Sequence, residues 1–304
     1  MIRFKEISEY RTQLMGAAMA FIMASHTIGR FGLYGNIGVE WFLILSGVGL
    51  YFSLQKETST KNFYQRRFKK ILPAYLIVAI PFFLIKFPFD LRDFLIRISG
   101  LNLIFMWERY FWFIALICLC YLIAPFYFKI VNSCKYSFLI PFVLALGIFF
   151  LSFHLPRTQI LVTRFPIFLL GMHLGKAVYE DKVLFANKSS FLPFIISLAA
   201  IGAVVWINYR PHLIEVERQL YFLCGIPSLF FILFIIRKLA LIRPVHRLLT
   251  LMGTVSLEIY LVHESIVFAS CLLLPIPKIF AALLSYAIAI ALAYVLHSLI
   301  KKII

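Results

Sequence analysis

The side chains of this sequence best suited to chemistry lie where an apolar environment tolerates them least: His26, Glu40, Arg164, His173, Glu258, His263 and Glu264 all fall within or at the edge of long apolar runs. An Asp, Lys or Arg at the centre of a membrane-spanning helix costs about 2.5–3.5 kcal/mol on insertion scales, so such residues gather at functional cavities. His26 closes one run in Met23-Ala24-Ser25-His26, and Glu40 opens the next in Gly38-Val39-Glu40-Trp41. A short hairpin between them would bring both to one depth. An imidazole beside a carboxylate can take a proton from a hydroxyl, the acid fixing the tautomer and stabilising the imidazolium that forms. A hydrogen bond that merely ties two helices accounts for the same pair. Farther along, Arg66, Arg67, Lys69 and Lys70 cluster at the mouth of another run. Such a cluster suits the phosphates of coenzyme A or a nucleotide, although topology and anionic lipid explain it too.

Other residues have two readings each. His263 lies one turn after Tyr260, on the same helix face, and either lines the His26 cavity or is a satisfied structural histidine. Trp112 can stack on an adenine or a sugar ring, or simply pack. Arg164, beside Pro166, either faces a polar cavity or snorkels to the surface. Two stretches, Leu45-Ser46-Gly47-Val48-Gly49 and Leu170-Gly171-Met172-His173-Leu174-Gly175, place small residues within runs. They permit close helix approach, or a slot for an extended thin ligand such as a pantetheine arm.

The elements that must position these residues follow from composition. Of 304 residues, 62% are hydrophobic and only 14% charged, which excludes a water-facing globular fold. At about 20 apolar residues per span, the chain supports about ten transmembrane helices. The runs are 12–29, 37–55, 71–87, 110–131, 137–153, 158–178, 190–208, 219–236, 254–274 and 279–300. With the N-terminus cytoplasmic, alternate connections hold about two thirds of the Lys and Arg residues, and both termini come out cytoplasmic. The net charge of +17 is then loop charge, not a nucleic-acid footprint. Phe87 to Trp107 mixes charges with apolar residues at helical spacing and reads as one amphipathic helix on the outer face. The apolar run after Met1–Arg11 carries no small-residue cleavage signal, so the first helix is expected to be retained. Cys118, Cys120, Cys134, Cys224 and Cys271 lack the paired spacing of metal or redox sites, and no metal is expected. Without repeats or linkers, residues 1–304 form one domain, an all-α polytopic membrane bundle.

Taken together and in order, these motifs resemble the acyltransferase-3 family of integral membrane acyltransferases. Leu14-Met15-Gly16 through His26 resembles its first-helix block, and Gly38-Val39-Glu40-Trp41-Phe42 through Ser46-Gly47 its acidic second-helix block. Arg66-Arg67-Phe68-Lys69-Lys70-Ile71-Leu72-Pro73-Ala74-Tyr75 resembles the basic stretch before the third helix. Tyr110–Ile114, Arg164–Gly171 and Ser256–His263 are similar to later blocks. The resemblance implies transfer of an acyl group, usually acetyl, from cytoplasmic acetyl-CoA to a hydroxyl of a surface or exported glycan or lipid-linked sugar at a bacterial cytoplasmic membrane. It implies His26 as base, Glu40 as its acidic companion, and Arg67 with Lys70 near the donor phosphates. Met15 stands where the family usually has an arginine, with Arg11 one turn earlier, and Lys70 replaces a second arginine.

In the mechanism expected, Arg66, Arg67, Lys69 and Lys70, joined by Arg11, hold the donor, whose arm threads up between helices. Ser46, Trp112, Arg164, Tyr260 and His263 line the cavity around His26, with Tyr260 or Arg164 stabilising the oxyanion. A water-lined passage should join the histidine to the cationic mouth. The oligomeric state is left open. The alternative is a transporter or exporter of a lipid-linked sugar or small anion, using the same charges for substrate or proton movement.

Overall fold

The computed structural model describes residues 4–27, 35–57, 59–152, 154, 158–182, 199, 202, 206, 214–271 and 273–303. Every regular element among them is helical. Nine helices build the site and its surroundings: α1 (Arg11–Thr27), α2 (Ile37–Lys56), α3 (Thr60–Lys86), α4 (Trp112–Ser133), α5 (Phe165–Tyr179), α6 (Ile214–Leu239), α7 (Arg243–Thr254), α8 (Ser256–Val262) and α9 (Lys278–Ile303). A helix satisfies its own backbone polar groups, which is why a chain this apolar takes that form.

Among the described residues, six helices are long and apolar enough to cross a membrane: α2, α3, α4, the span Gln159–Tyr179 that includes α5, the Gln219–Leu239 part of α6, and Lys278–Lys302 of α9. The protein is a multi-pass membrane protein. Exposed apolar side chains such as Ile85, Phe126, Val143 and Leu283 cover its flanks, as a lipid-facing surface requires.

These six coincide with six of the runs expected from the sequence; of the other four, three take a different form and one lies outside the described residues. The first forms α1, which at 17 residues falls short of a full span over its described length. The run at 137–153 forms a short helix, Ile140–Ser152. The run at 190–208 lies outside the described residues apart from isolated positions. The run at 254–274 is not one rod. α7 and α8 meet at a 72° bend, and α8 passes into a π-helical turn, His263–Phe268. The amphipathic helix expected over Phe87–Trp107 is also divided, into Leu91–Ile98 and Asn102–Phe105, because Gly100 sits at φ +77° between them. Arg97 there grips Glu108 with two nitrogens at 2.9–3.1 Å and lies 4.0 Å over the Phe87 ring.

α1 packs against α2 and α7, and α2 packs against α5. Close approach explains the glycines. A Cβ on Gly47 would collide with the backbone of Phe168 and Gly171, and one on Gly171 with the backbone of Ile44. The space considered for a thin ligand at these two glycines is therefore filled by the neighbouring helix.

Candidate functional site

α1 carries Arg11 at its first residue and His26 near its last, so about 22 Å of helix separates them at 1.5 Å per residue. Around His26 the helices leave a small pocket of about 70 Å³. Ser25 and His26 come from α1, Asn36 and Val39 from the entry to α2, Trp112 and Phe113 from α4, Arg164 from the start of α5, and Tyr260 and Glu264 from α8 and the π turn. The His26 side chain is 34% exposed, so the ring is open to this space.

The carboxylate beside the histidine is not the one expected. Glu264 Oε1 lies 3.3 Å from His26 Nδ1. Glu40 instead pairs with Arg164, whose Nε donates to Glu40 Oε1 at 3.0 Å with both side chains almost fully buried. The reason is helical geometry: Val39 faces the pocket, and the next residue points about 100° away, towards α5. The His26–Glu40 dyad is thus corrected to His26–Glu264. Arg164 also reaches Asn36 Oδ1 at 3.4 Å and lies 4.9 Å over the Trp112 ring, while its Nη1 is buried without a hydrogen-bond partner. Desolvated cation–π contacts of this kind contribute about 2 kcal/mol.

The local sequence holds Trp112 in place. Phe111 takes a left-handed conformation (φ 54°, ψ 21°) at the N-cap of α4 and is buried with Tyr75, Phe82 and Phe83. A bulky residue persists in that region only where its surroundings over-determine it. The turn aims the Phe113 amide at the Tyr260 hydroxyl, which accepts its hydrogen bond at 3.1 Å. His263 is buried below, its ring 5.2 Å from that of His26 and its Nδ1 at 2.9 Å from the Tyr260 carbonyl. Trp112, Arg164 and Tyr260 therefore line the pocket, whereas His263 and Ser46 are buried and are not among the lining residues.

At the opposite end of α1 the basic residues divide. Arg11, Arg67 and Lys70 feel one another's charge, with Tyr121 between the two arginines. Lys70 is solvent-exposed, with the charges of Arg11, Arg67 and Glu258 acting on it. Arg11 Nε donates to the Leu45 carbonyl at 2.9 Å, and its guanidinium lies against Gly49. Arg66 is drawn aside by Glu57 at 2.5 Å, and Lys69 is exposed. Of the five cations expected together, Arg11, Arg67 and Lys70 act on one another, Arg66 acts on Arg67 while pairing with Glu57, and Lys69 lies exposed. Glu258 faces Lys70 and pairs with His297 at 2.7 Å. The lining of the His26 pocket contains none of these residues, so no continuous passage between the two ends is seen among the described residues.

A Cβ at Gly49 would collide with the Arg11 guanidinium, lying 2.5 Å from Nη2, 2.8 Å from Cζ and 3.1 Å from Nε. Gly49→Leu should therefore push Arg11 out of the cluster. Under the role proposed below for this cluster, the expected result is a raised KM for the anionic substrate it holds with little change in kcat, read from initial rates in proteoliposomes.

The family model described as an acyltransferase domain matches residues 14–298, nearly the whole chain. The chain belongs to the acyltransferase-3 family. It is therefore a membrane acyltransferase, and His26, the Arg164–Glu40 pair and the Arg11–Arg67–Lys70 cluster all lie on the helices of the acyltransferase-3 domain or, for Arg11, one turn before it. No curated protein and no solved structure matches the chain.

Sequence reasoning singled out Glu264 as an intramembrane carboxylate but gave it no role, since nothing in a linear spacing shows which acid a π turn will bring to His26. Asn36 carried no signal at all. Tyr121 did, as a phenol inside an apolar run, and so did Gly49, whose lack of a side chain makes room for Arg11.

Proposed function

We propose that this protein transfers an acyl group, acetyl in the first instance, from acetyl-CoA on the cytoplasmic side of a bacterial inner membrane to a hydroxyl of a surface-bound or exported glycan or a lipid-linked sugar. The observation that carries the reading is the partly exposed His26 imidazole, set in an interhelical pocket with Glu264 at 3.3 Å and with Arg164 and Tyr260 in the same lining. Glu264 keeps the proton on Nδ1, which leaves Nε2 to take the proton of the acceptor hydroxyl as it attacks the thioester carbonyl. The unpartnered Nη1–H of Arg164 and the Tyr260 hydroxyl are the available donors for the oxyanion. Collapse of that intermediate expels the CoA thiolate.

The donor's phosphates rest on Arg11, Arg67 and Lys70, where the guanidinium groups offer paired N–H donors and the lysine a point charge. Its extended arm then has to run the length of α1 to reach His26. Contacts between connections support both termini being cytoplasmic in a single domain: Glu6, before α1, pairs with Arg237 at the end of α6 at 2.9 Å, and Lys176 at the end of α5 donates to the Val131 carbonyl near the end of α4. All four lie on segments that charge alternation assigns to the inner side.

The test is a melting curve of the detergent-purified protein with and without acetyl-CoA, followed by measurement of CoA release in the presence of glycan acceptors. A ligand present at 100 times its Kd stabilises the folded state by about 2.7 kcal/mol, so a clear rise in Tm is expected. An unchanged Tm at millimolar acetyl-CoA would argue for the exporter instead.

A further inference from the structure

We propose that His26, His263 and Glu264 together bind one divalent transition-metal ion of the Zn²⁺ class. Each of the three offers one ligand atom, and these atoms all lie within 4.8 Å of one another. The second observation is the state of His263. The residue is 3% exposed, and its Nδ1 lies 3.1 Å from the Ile259 carbonyl and 2.9 Å from the Tyr260 carbonyl, so that nitrogen carries the hydrogen. Its Nε2 is then a bare lone pair, buried and without a hydrogen-bond partner. An imidazole anchored through Nδ1–H to a backbone carbonyl, with Nε2 free, has the orientation and tautomer of a metal-ligating histidine.

The donor set selects the ion. Two imidazoles and one carboxylate suit Zn²⁺ and its neighbours, whereas Ca²⁺ and Mg²⁺ call for oxygen. Ligands at about 2.1 Å from a tetrahedral centre stand about 3.4 Å apart. His26 Nδ1 and Glu264 Oε1 already lie at 3.3 Å, so closing the site requires their approach to His263 by up to about 1.4 Å, from 4.8 Å to about 3.4 Å. His26 and Glu264 are the more exposed members and the ones free to move. The π turn His263–Phe268 holds the two consecutive ligands His263 and Glu264, and single π turns of this sort recur at functional sites. Three protein ligands leave the fourth position to the pocket. No pair of these residues shows metal-ligand spacing in the sequence, because His26 comes from the opposite end of the chain.

The consequence for transfer rests on the function proposed above: an ion bound to Nδ1 of His26 displaces the proton that Glu264 holds there and leaves the ring's single proton on Nε2, so bound Zn²⁺ switches the base off. The binding itself does not depend on that reading. The test uses the full-length protein in nanodiscs, stripped with EDTA and dialysed, and titrated with Zn²⁺ alone by calorimetry and with Co²⁺ alone by visible absorption. The expected result is one ion per chain, with the intense d–d bands of tetrahedral Co²⁺ coordination. Glu264→Gln and His263→Gln should each weaken binding by at least the about 10–100-fold seen on loss of outer-shell partners. Glu264 is exposed, so its variant keeps the fold and the comparison does not depend on the buried histidine. No stoichiometric binding to the folded wild type, or binding that both variants retain, overturns the proposal. EDTA-reversible inhibition of acyl transfer by Zn²⁺ is expected as well. A chain that binds the ion through these residues but transfers no acyl group keeps the metal site and removes the transferase reading instead.

Discussion

His26→Ala is expected to lower the turnover of acyl transfer by about 10²–10⁴-fold, the range that a positioned general base contributes. The assay is acetyl transfer by protein reconstituted in liposomes, with acetyl-CoA supplied on one side and insertion checked by protease protection. The variant should melt near the wild-type temperature, because the histidine is partly exposed and its contacts, to Glu264 and the edge of the His263 ring, lie at the rim of the pocket and not in the core. Binding of acetyl-CoA should also persist, since Arg11, Arg67 and Lys70 lie at the far end of α1. A loss of turnover without a loss of donor binding separates a catalytic histidine from one that merely supports the pocket. Wild-type turnover in the variant would remove the base from the mechanism. Glu264→Gln should have a smaller effect in the same direction, because an amide can still accept from Nδ1–H but does not stabilise the imidazolium as a carboxylate does.

The chemistry-bearing residues were visible in the sequence because lipid makes them conspicuous: a histidine, an arginine or a glutamate within an apolar run stands out by its cost alone. Their pairing was not visible. Whether Glu40 turns to α1 or to α5 depends on the rotation of α2 about its own axis, and that rotation is set by Gly47 and Gly171, which let the two backbones touch. The role of Glu264 depends on a π turn, which leaves no mark in hydrophobic periodicity. Arg11 was expected beside the basic cluster from the sequence, but what seats its guanidinium, the Leu45 carbonyl and the bare Gly49 of α2, showed only in the packing of α1 on α2.

The spans show the same division between what composition fixes and what packing decides. Long runs such as those forming α3, α4 and α9 satisfy the length requirement of a bilayer on their own. The run after α7 does not, because its backbone bends at Val255 and widens at His263, and both irregularities lie where α8 approaches α1 and the pocket. Irregular helix geometry inside a membrane protein is tolerated where it is buried in protein or lines a cavity, and this stretch does both.

Arg164→Ala is expected to destabilise the protein by about 3–5 kcal/mol, the cost of leaving one member of a buried ion pair uncompensated. Glu40 is 3% exposed and Arg164 6% exposed, so the carboxylate left behind has no access to bulk water. The variant also loses the guanidinium that lies over Trp112 and the contact to Asn36, so the pocket wall formed by α2, α4 and α5 loses its common tie. Removing both charges, as Glu40→Ala with Arg164→Ala, should recover part of the lost stability, since no unpaired charge then remains. Melting curves of the wild type, the two single variants and the double variant close the cycle, and the interaction energy should exceed that of an exposed pair, about 0–1 kcal/mol. Additive losses would mean that the pair is solvated and contributes little. Activity gives the second readout: the double variant, though more stable than Arg164→Ala, should stay as inactive, because it too lacks the Nη1 donor beside His26. Recovery of fold without recovery of turnover would assign Glu40 to holding the arginine and Arg164 to the reaction.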